Sequence, residues 1–193
     1  MPWEKSFDID AAIQEAMVVF WRKGYEATSI TDLTKAMGIN KGSLYNAFGN
    51  KKALFDRALL TFDKQNRQKT LSYLSTVEDG HAAIVELFDG LVAESQADKD
   101  HKGCLLVNTA LDLPNQPDDV KDMVTKALAG FEDFFKETIL RGQSYGTIPS
   151  SVDPEPTSKS LLSTVIGLRV LARGTFGEEG LEAVRSEAIR AIS

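Results

Sequence analysis

The segment from Asn40 to Lys52 has the residue types that contact DNA. It contains three lysines and no acidic residue, so it is positively charged although the whole chain carries a formal net charge of −6. Lysine can bind a phosphate oxygen or a guanine edge, and serine and asparagine can hydrogen-bond to base edges. Glycine lets the backbone approach the DNA closely. A tyrosine hydroxyl and the backbone N–H groups at the start of a helix can hydrogen-bond to a phosphate. We therefore assign DNA contacts to Lys41, Gly42, Ser43, Tyr45, Asn46, Lys51 and Lys52.

Two short helices joined by a tight turn are expected to position these residues. Ser29 followed by Asp32 is a capping box that starts the first helix, and Asn40 caps the second. Gly38 lies between them, where a helix-turn-helix requires a positive φ. The pattern predicts a helix-turn-helix over residues 29–48, whose second helix enters the major groove. The alternative is that the lysines form an ordinary solvated surface.

The rest of the chain is predicted to be helical as well, which makes the fold class all-α. Apolar residues recur at helical spacing almost throughout, and no run of strict alternation marks a strand. Three prolines mark residues 146–156 as a loop. The predicted helices cover residues 9–22, 30–37, 41–47, 51 to beyond 71, 82–97, 118–141, 157–175 and 178–192, with an apolar helical segment at 104–113.

Composition limits the class of protein and its compartment. The single cysteine cannot form an internal disulfide, which favours the reducing cytoplasm. The longest nearly uncharged apolar run, residues 160–168, is far shorter than the roughly 20 residues of a membrane-spanning helix, so no membrane segment is expected. Residues 1–69 hold 11 Lys and Arg against 8 Asp and Glu, whereas residues 70–193 hold 11 against 20. A basic surface for a nucleic-acid partner therefore belongs to the N-terminal part.

Three stretches near the N-terminus form a specific pattern: Phe20 to Tyr25, Thr28 to Ile30 and Lys41 to Leu54. Together they resemble the DNA-binding domain of the TetR family of transcriptional regulators. The resemblance covers residues 6–66 and implies that Thr28 and Ser29 also belong to the DNA-contacting set.

The resemblance also implies an architecture and a function. The DNA-binding domain at 6–66 would be joined by a long fourth helix to a C-terminal domain at 67–193, which binds a small-molecule effector. The last two helices would pair two chains in a homodimer on a palindromic double-stranded operator. The implied function is that of a repressor released from DNA by its effector.

Two positions depart from the family pattern. Ala47 stands where the family often has a His or Tyr that touches the DNA backbone, and Lys52 stands where Glu or Asp is common. The first departure removes a DNA contact, and the second adds positive charge at the start of the fourth helix.

The predicted effector pocket combines aromatic residues with two polar ones. Asn108 lies in an apolar helix, where its amide must bond to an effector, a neighbouring side chain or a backbone carbonyl. The aromatic residues line the pocket or are plain core. The candidate set is Phe62, Phe88, Cys104, Asn108, Phe131 and Phe135.

Cys104 supports two interpretations. Residues 103–110 resemble a glycine-cysteine motif of a subset of TetR regulators, which includes repressors that respond to electrophiles. His101, Lys102 and a helix start would lower the pKa of the thiol and make the protein a thiol-based sensor. The alternative is a small buried hydrophobic residue, since no second cysteine is present to complete a disulfide.

The helix over residues 157–175 is apolar over an arc that is too wide for one neighbour within the chain. Pairing it and the final helix with their copies in a second chain would bury both apolar stripes across a twofold axis. The predicted dimer interface consists of Leu161, Leu162, Val165, Ile166, Leu168, Leu181 and Val184.

Two other classes of function compete with DNA binding. An enzyme would need a nucleophile with its base, paired acids or a metal cluster, and Cys104, His81 and His101 form no such arrangement in the sequence. We therefore expect no catalytic residue, no metal and no cofactor. A helical adaptor would explain the acidic C-terminal part, but it would not explain the lysine-rich second helix.

Overall fold

The computed structural model describes residues 7–193, and all regular structure within that range is helical, which confirms the all-α prediction. The chain divides into two compact units. The first unit ends at Gln65, and the second unit comprises Asn66–Ser193. Ser6, where the predicted DNA-binding domain begins, lies outside the described residues.

The helices follow one another with short connections. A π-helical turn, Lys64–Gln68, follows the fourth α-helix, and a 3-10 turn, Leu113–Asn115, follows the seventh. The α-helices of the described residues are α1 (Ile9–Lys23), α2 (Ile30–Met37), α3 (Lys41–Phe48), α4 (Lys51–Asp63), α5 (Lys69–Leu74), α6 (Gly80–Ala97), α7 (Leu105–Leu111), α8 (Asp118–Tyr145), α9 (Pro154–Leu171) and α10 (Glu178–Arg190).

Local signals fix where the helices of the first unit begin. Side-chain oxygens of Asp8, Ser29, Asn40 and Asn50 accept hydrogen bonds from backbone N–H groups at the starts of α1, α2, α3 and α4. Gly38 ends α2 with φ 64° and ψ 27°, so the predicted positive φ is confirmed. The helix-turn-helix is therefore defined by hydrogen bonds that the sequence pattern already indicates.

A small aromatic and aliphatic core holds these four helices together. Helix α1 packs on α2 and α4. The ring of Phe20 in α1 has no exposed surface and meets Phe55 of α4 edge-on, with 5.0 Å between the ring centroids. Leu33 of α2 and Leu44 of α3 also have no exposed surface. These contacts fix the orientation of α3 within the first unit.

The second unit is built around α8, which packs on α6, α7 and α9. The first residue of α6 lies against the backbone of α8: a Cβ on Gly80 would be 2.7 Å from the nitrogen of Gly142. Only glycine permits this approach without displacing the backbone of α8. Phe88, Phe135 and Leu168, from α6, α8 and α9, are fully buried in the resulting core.

Two long helices differ from their predicted extents. The fourth predicted helix is not a continuous α-helix past residue 71, because Lys64–Gln68 is π-helical, with a wider turn and i→i+5 hydrogen bonds. Helix α8 continues to Tyr145 rather than ending at residue 141, and Gly146 ends it in the left-handed conformation.

Helix α9 begins three residues before the predicted start and ends at Leu171, four residues before the predicted end. The side chain of Asp153 accepts a hydrogen bond from the N–H of Glu155, and Pro154 occupies the first helical position. Proline is tolerated there because the N–H that it lacks would have no intrahelical partner. The predicted loop therefore ends before Pro154.

Four residues assigned to the dimer interface lie instead in the core of the second unit. Helix α9 packs on α6, α7, α8 and α10, so its apolar arc is wide because it has four neighbours within the chain. Of the other three residues, Leu162 and Ile166 are partly exposed, and Val184 is partly buried against the core. The four core residues, each at most 3% exposed, are Leu161, Val165, Leu168 and Leu181.

Substitution at this core should destabilise the second unit. Leu168→Ala removes a side chain with no exposed surface and should lower the free energy of unfolding by about 2–5 kcal/mol. Leu140→Ala is the matched control, because Leu140 is 50% exposed and its truncation should change stability by less than about 1 kcal/mol. Denaturant unfolding of the intact chain at one protein concentration measures both variants. Equal losses would contradict the assignment of Leu168 to the core.

Candidate nucleic-acid interface

Helix α3 separates a buried face from an exposed one. Leu44 and Phe48 are buried, as their four-residue spacing predicts. Asn40 Oδ1 accepts the backbone N–H of Ser43 at 2.8 Å, and Ser43 itself is half-buried. The exposed face of the helix is formed by Lys41, Gly42, Tyr45 and Asn46.

Two side chains of this exposed face lie together. The ammonium of Lys41 is 5.8 Å from the centroid of the Tyr45 ring, and Tyr45 is 40% exposed. The pair places one cation and one hydroxyl-bearing ring next to the exposed amide of Asn46. This part of α3 can therefore hydrogen-bond to base edges and attract a phosphate through the same surface.

The carboxylate of Asp32 fixes helix α2. It accepts hydrogen bonds from the backbone N–H of Ser29 at 2.9 Å and from the ammonium of Lys23 at 2.6 Å. The hydrogen bond from Lys23 is the main cause of the lowering of the pKa of Asp32, and the hydrogen bonds from Ser29 add to it. Since the depressed pKa keeps Asp32 ionised at acid pH where an ordinary carboxyl is protonated, the end of α1 stays tied to the start of α2 into the acid range.

The two residues that the family resemblance added do not offer free hydroxyl groups. Thr28 is 1% exposed, and its Oγ1 donates to the carbonyl of Gly24 at 2.6 Å. Burial leaves Thr28 no surface for DNA, so we remove it from the candidate interface. Ser29 is exposed, but its hydroxyl donates to Asp32 Oδ2 at 2.7 Å and accepts the N–H of Asp32. Its structural role is to cap α2.

The two lysines at the start of α4 have different surroundings. Lys52 pairs with Asp56 one turn later, with 2.8 Å between Nζ and Oδ2, so its charge is compensated by a carboxylate. Lys51 lies over the ring of Tyr25, with Nζ 4.4 Å from the centroid, and donates to the carbonyl of Glu26 at 3.5 Å. Neither of these partners carries a formal charge, so Lys51 is the better candidate for a phosphate.

Cys104 is not the activated thiol that the sequence suggested. It is half-buried at the residue before α7, and burial raises the pKa of its thiol above the ordinary value, although Arg169 opposes this effect. The ammonium of Lys102, which was expected to stabilise the thiolate, lies 3.5 Å from Asp98 Oδ1. The predicted lowering of the pKa is therefore wrong, because desolvation outweighs the nearby positive charge.

The amide of Asn108 has two partners within the chain. Its Nδ2 donates to the carbonyl of Lys102 at 2.8 Å, and its Oδ1 accepts from Arg173 Nη1 at 3.2 Å. Of the three partners considered for this amide, the structure therefore contains the side chain and the backbone carbonyl. The amide ties the segment before α7 to Arg173, which follows α9.

The aromatic residues assigned to an effector pocket separate into two groups. Phe88 and Phe131 each stack on Phe135, at centroid distances of 6.2 and 6.4 Å, in the second unit. Phe62 belongs to the first unit, where its ring meets Trp21 edge-on at 4.9 Å. We remove Phe62 from the candidate pocket because it is part of another core.

Within residues 7–193, no three His, Cys, Asp or Glu side chains are grouped closely enough to hold a metal ion. In the same range, no helix is both long and apolar enough to cross a membrane.

Comparisons with known proteins match both parts of the chain. The family described as bacterial regulatory proteins, tetR family, matches residues 12–58, and the tetracyclin repressor-like C-terminal domain matches residues 80–187. The HTH-type transcriptional repressor ComR of Escherichia coli (strain K12) is 29% identical over 191 residues, which cover 96% of this chain and 89% of ComR.

Solved structures with the same fold include two regulators. A cysteine mutant of the TetR family regulator CifR, in complex with a 26 bp double-strand operator, has a TM-score of 0.84 and 33% identity over 97% of this chain and 98% of that chain. The reduced form of NemR from E. coli has a TM-score of 0.86 over 95% of this chain and 96% of that chain, but only 17% identity, so this likeness concerns the fold alone.

The thiol of Cys104 should react slowly with an alkylating reagent near neutral pH. Because burial raises its pKa, less of it is thiolate than in a solvated cysteine at the same pH. Iodoacetamide labelling followed by mass spectrometry reports this residue alone, since the chain has one cysteine. The labelling rate should rise with pH, and the midpoint of this rise should lie at a higher pH than for a free cysteine peptide measured in parallel. A midpoint below that of the peptide would contradict the burial argument.

Proposed function

The chain belongs to the TetR family of bacterial regulatory proteins, and we propose that it is a transcriptional repressor that binds an operator through α3. The observation that carries this proposal is the exposed surface of Lys41, Gly42, Tyr45 and Asn46 on the second helix of a helix-turn-helix. The name of ComR as a repressor and the operator complex of CifR support it.

Each exposed residue of α3 has a separate part in the proposed complex. Asn46 donates to and accepts from a base edge, and Ser43 reaches a base edge as α3 enters the major groove. Lys41 binds a guanine edge or a phosphate, and Tyr45 and Lys51 bind phosphates. Lys52 adds less than its sequence position suggested, because Asp56 compensates its charge. Gly42 keeps the start of the helix close to the DNA.

The proposed active form is a homodimer on a palindromic operator. The partly exposed Leu162 and Ile166 on α9 are one helical turn apart and form an apolar edge that a second chain can cover. Val184 on α10 is partly buried against the core, so it contributes less to the proposed contact. In such a dimer the two α3 helices would lie about 34 Å apart, so that each reads one half-site.

A small-molecule effector is proposed to bind the second unit near Phe88, Phe131 and Phe135. Such a ligand releases DNA only if it binds the DNA-incompetent conformation more tightly, and a typical coupling of about 1–3 kcal/mol changes operator affinity about 5–150-fold. The thiol-based alternative through Cys104 is less favoured, because burial raises the pKa of the thiol. We propose no catalytic role and a cytoplasmic location, where the DNA is accessible.

Operator binding can be tested on DNA from upstream of the protein's own coding sequence. A mobility shift that competing random DNA does not remove supports the proposal. Equal binding to random DNA would argue against a specific operator, and no binding would favour the adaptor alternative. Asn46→Ala should weaken specific binding by about 1–3 kcal/mol and leave binding to random DNA nearly unchanged. Asn115→Ala, an exposed asparagine of the second unit, is the matched control and should behave as wild type.

Dimer formation can be tested by adding one charge to either side of α9. Ile166→Glu places a carboxylate at the centre of the proposed contact and should convert the dimer to a monomer at micromolar concentration, as measured by light scattering. Ser160→Glu adds the same charge at an exposed residue on another face of α9 and should remain dimeric. A wild-type chain that is monomeric at that concentration would refute the homodimer.

A further inference from the structure

The ring of Tyr25, in the turn after α1, is fixed by the core of the first unit. It stacks on Phe20 at a centroid distance of 6.2 Å and packs against Phe55 at 5.0 Å. Phe20 has no exposed surface, and Phe55 is 3% exposed. Because both neighbours are buried, the ring of Tyr25 has little freedom to move.

The ammonium of Lys51 lies on this ring, with Nζ 4.4 Å from the ring centroid. A cation at this distance is attracted by the negative face of an aromatic ring. The carbonyl of Glu26, the residue after Tyr25, accepts a long hydrogen bond of 3.5 Å from the same Nζ. The hydroxyl of a tyrosine is neutral at ordinary pH, and burial raises the pKa of Tyr25 further, so the attraction is to the ring rather than to a phenolate.

The position of this ammonium matters because Lys51 is the first residue of α4. The helix start carries partial positive charge, which attracts a phosphate to the same place. Without the ring, the ammonium would be spread over the rotamers of a flexible lysine side chain and would not be held at the helix start, whereas the ring keeps it there. Lys52, the next residue, is held instead by Asp56, whose carboxylate competes with a phosphate for it.

We infer that Tyr25 is a positioning residue for DNA binding: its ring holds the ammonium of Lys51 where it meets a phosphate of the operator. The inference rests on the proposed function. Tyr25 does not touch the DNA in this arrangement and acts through Lys51. The part of Tyr25 that matters is the ring face, so phenylalanine should replace it and an aliphatic residue should not.

The salt dependence of operator binding distinguishes this role from a structural one. The slope of log affinity against log salt concentration reports the number of phosphate contacts, whereas a loss of fold stability does not change it in this specific way. Tyr25→Phe should keep the wild-type slope. Tyr25→Leu should reduce its magnitude by about 1 for each protomer, because the phosphate contact of Lys51 is lost.

Introducing Tyr25→Leu into a Lys51→Gln variant shows whether Tyr25 acts through Lys51. Lys51→Gln alone should reduce the slope by the same amount, and adding Tyr25→Leu to it should change the slope no further. Lys52→Gln is the matched control and should reduce the slope less, because Asp56 already compensates Lys52. The inference would be overturned if Tyr25→Leu left the slope unchanged. It would also be overturned if Tyr25→Leu reduced the slope equally in the wild-type protein and in the Lys51→Gln variant.

A third comparison avoids any loss of packing. Pentafluorophenylalanine at position 25 is similar in size to phenylalanine but withdraws electron density from the ring face, so it should reduce the slope as leucine does. If the leucine variant fails to fold, as judged by circular dichroism, this comparison decides alone, and an unchanged slope refutes the inference. Absence of specific binding by the wild-type protein would refute the proposed function itself, before any variant is compared.

Discussion

The fixed geometry of α2 and α3 is the constraint on which the candidate interface depends. Leu33 and Leu44, one on each helix, have no exposed surface, and Gly38 between them is in the left-handed conformation. A side chain with a Cβ would be strained at this φ. Because α3 cannot rotate without exposing Leu44, its other face is always presented to solvent. The identity of Asn46 matters only because this packing fixes the direction in which Asn46 points.

The first unit could be predicted well because its signals are local. A capping box needs two residues three positions apart, such as Ser29 and Asp32, and a left-handed helix end needs a glycine. The buried pair Leu44 and Phe48 follows from helical spacing alone. The pairing of Lys52 with Asp56 was also available from the sequence, since residues four apart on a helix are neighbours.

The second unit was harder to predict because burial there depends on residues distant in the sequence. Leu161 is buried and Leu162 is partly exposed, a difference that is set by the packing of α6, α8 and α10 around α9. For the same reason the sequence left both an activated thiol and a small buried residue open for Cys104: Lys102 nearby pairs with Asp98, while desolvation by the surrounding core raises the pKa of the thiol. Apolar composition predicted a helix correctly, but it did not predict which neighbour would cover it.

The close approach of α6 to α8 restricts how this sequence can diverge. A Cβ on Gly142 would meet the Ile148 side chain at 2.7 Å, whereas a Cβ on Gly80 would meet backbone atoms of Gly142. A side chain can become smaller by mutation, but a backbone cannot. A larger residue at position 142 can therefore be accommodated by a smaller one at position 148 during evolution. Position 80 has no such compensating partner and must remain glycine as long as the two helices keep this distance.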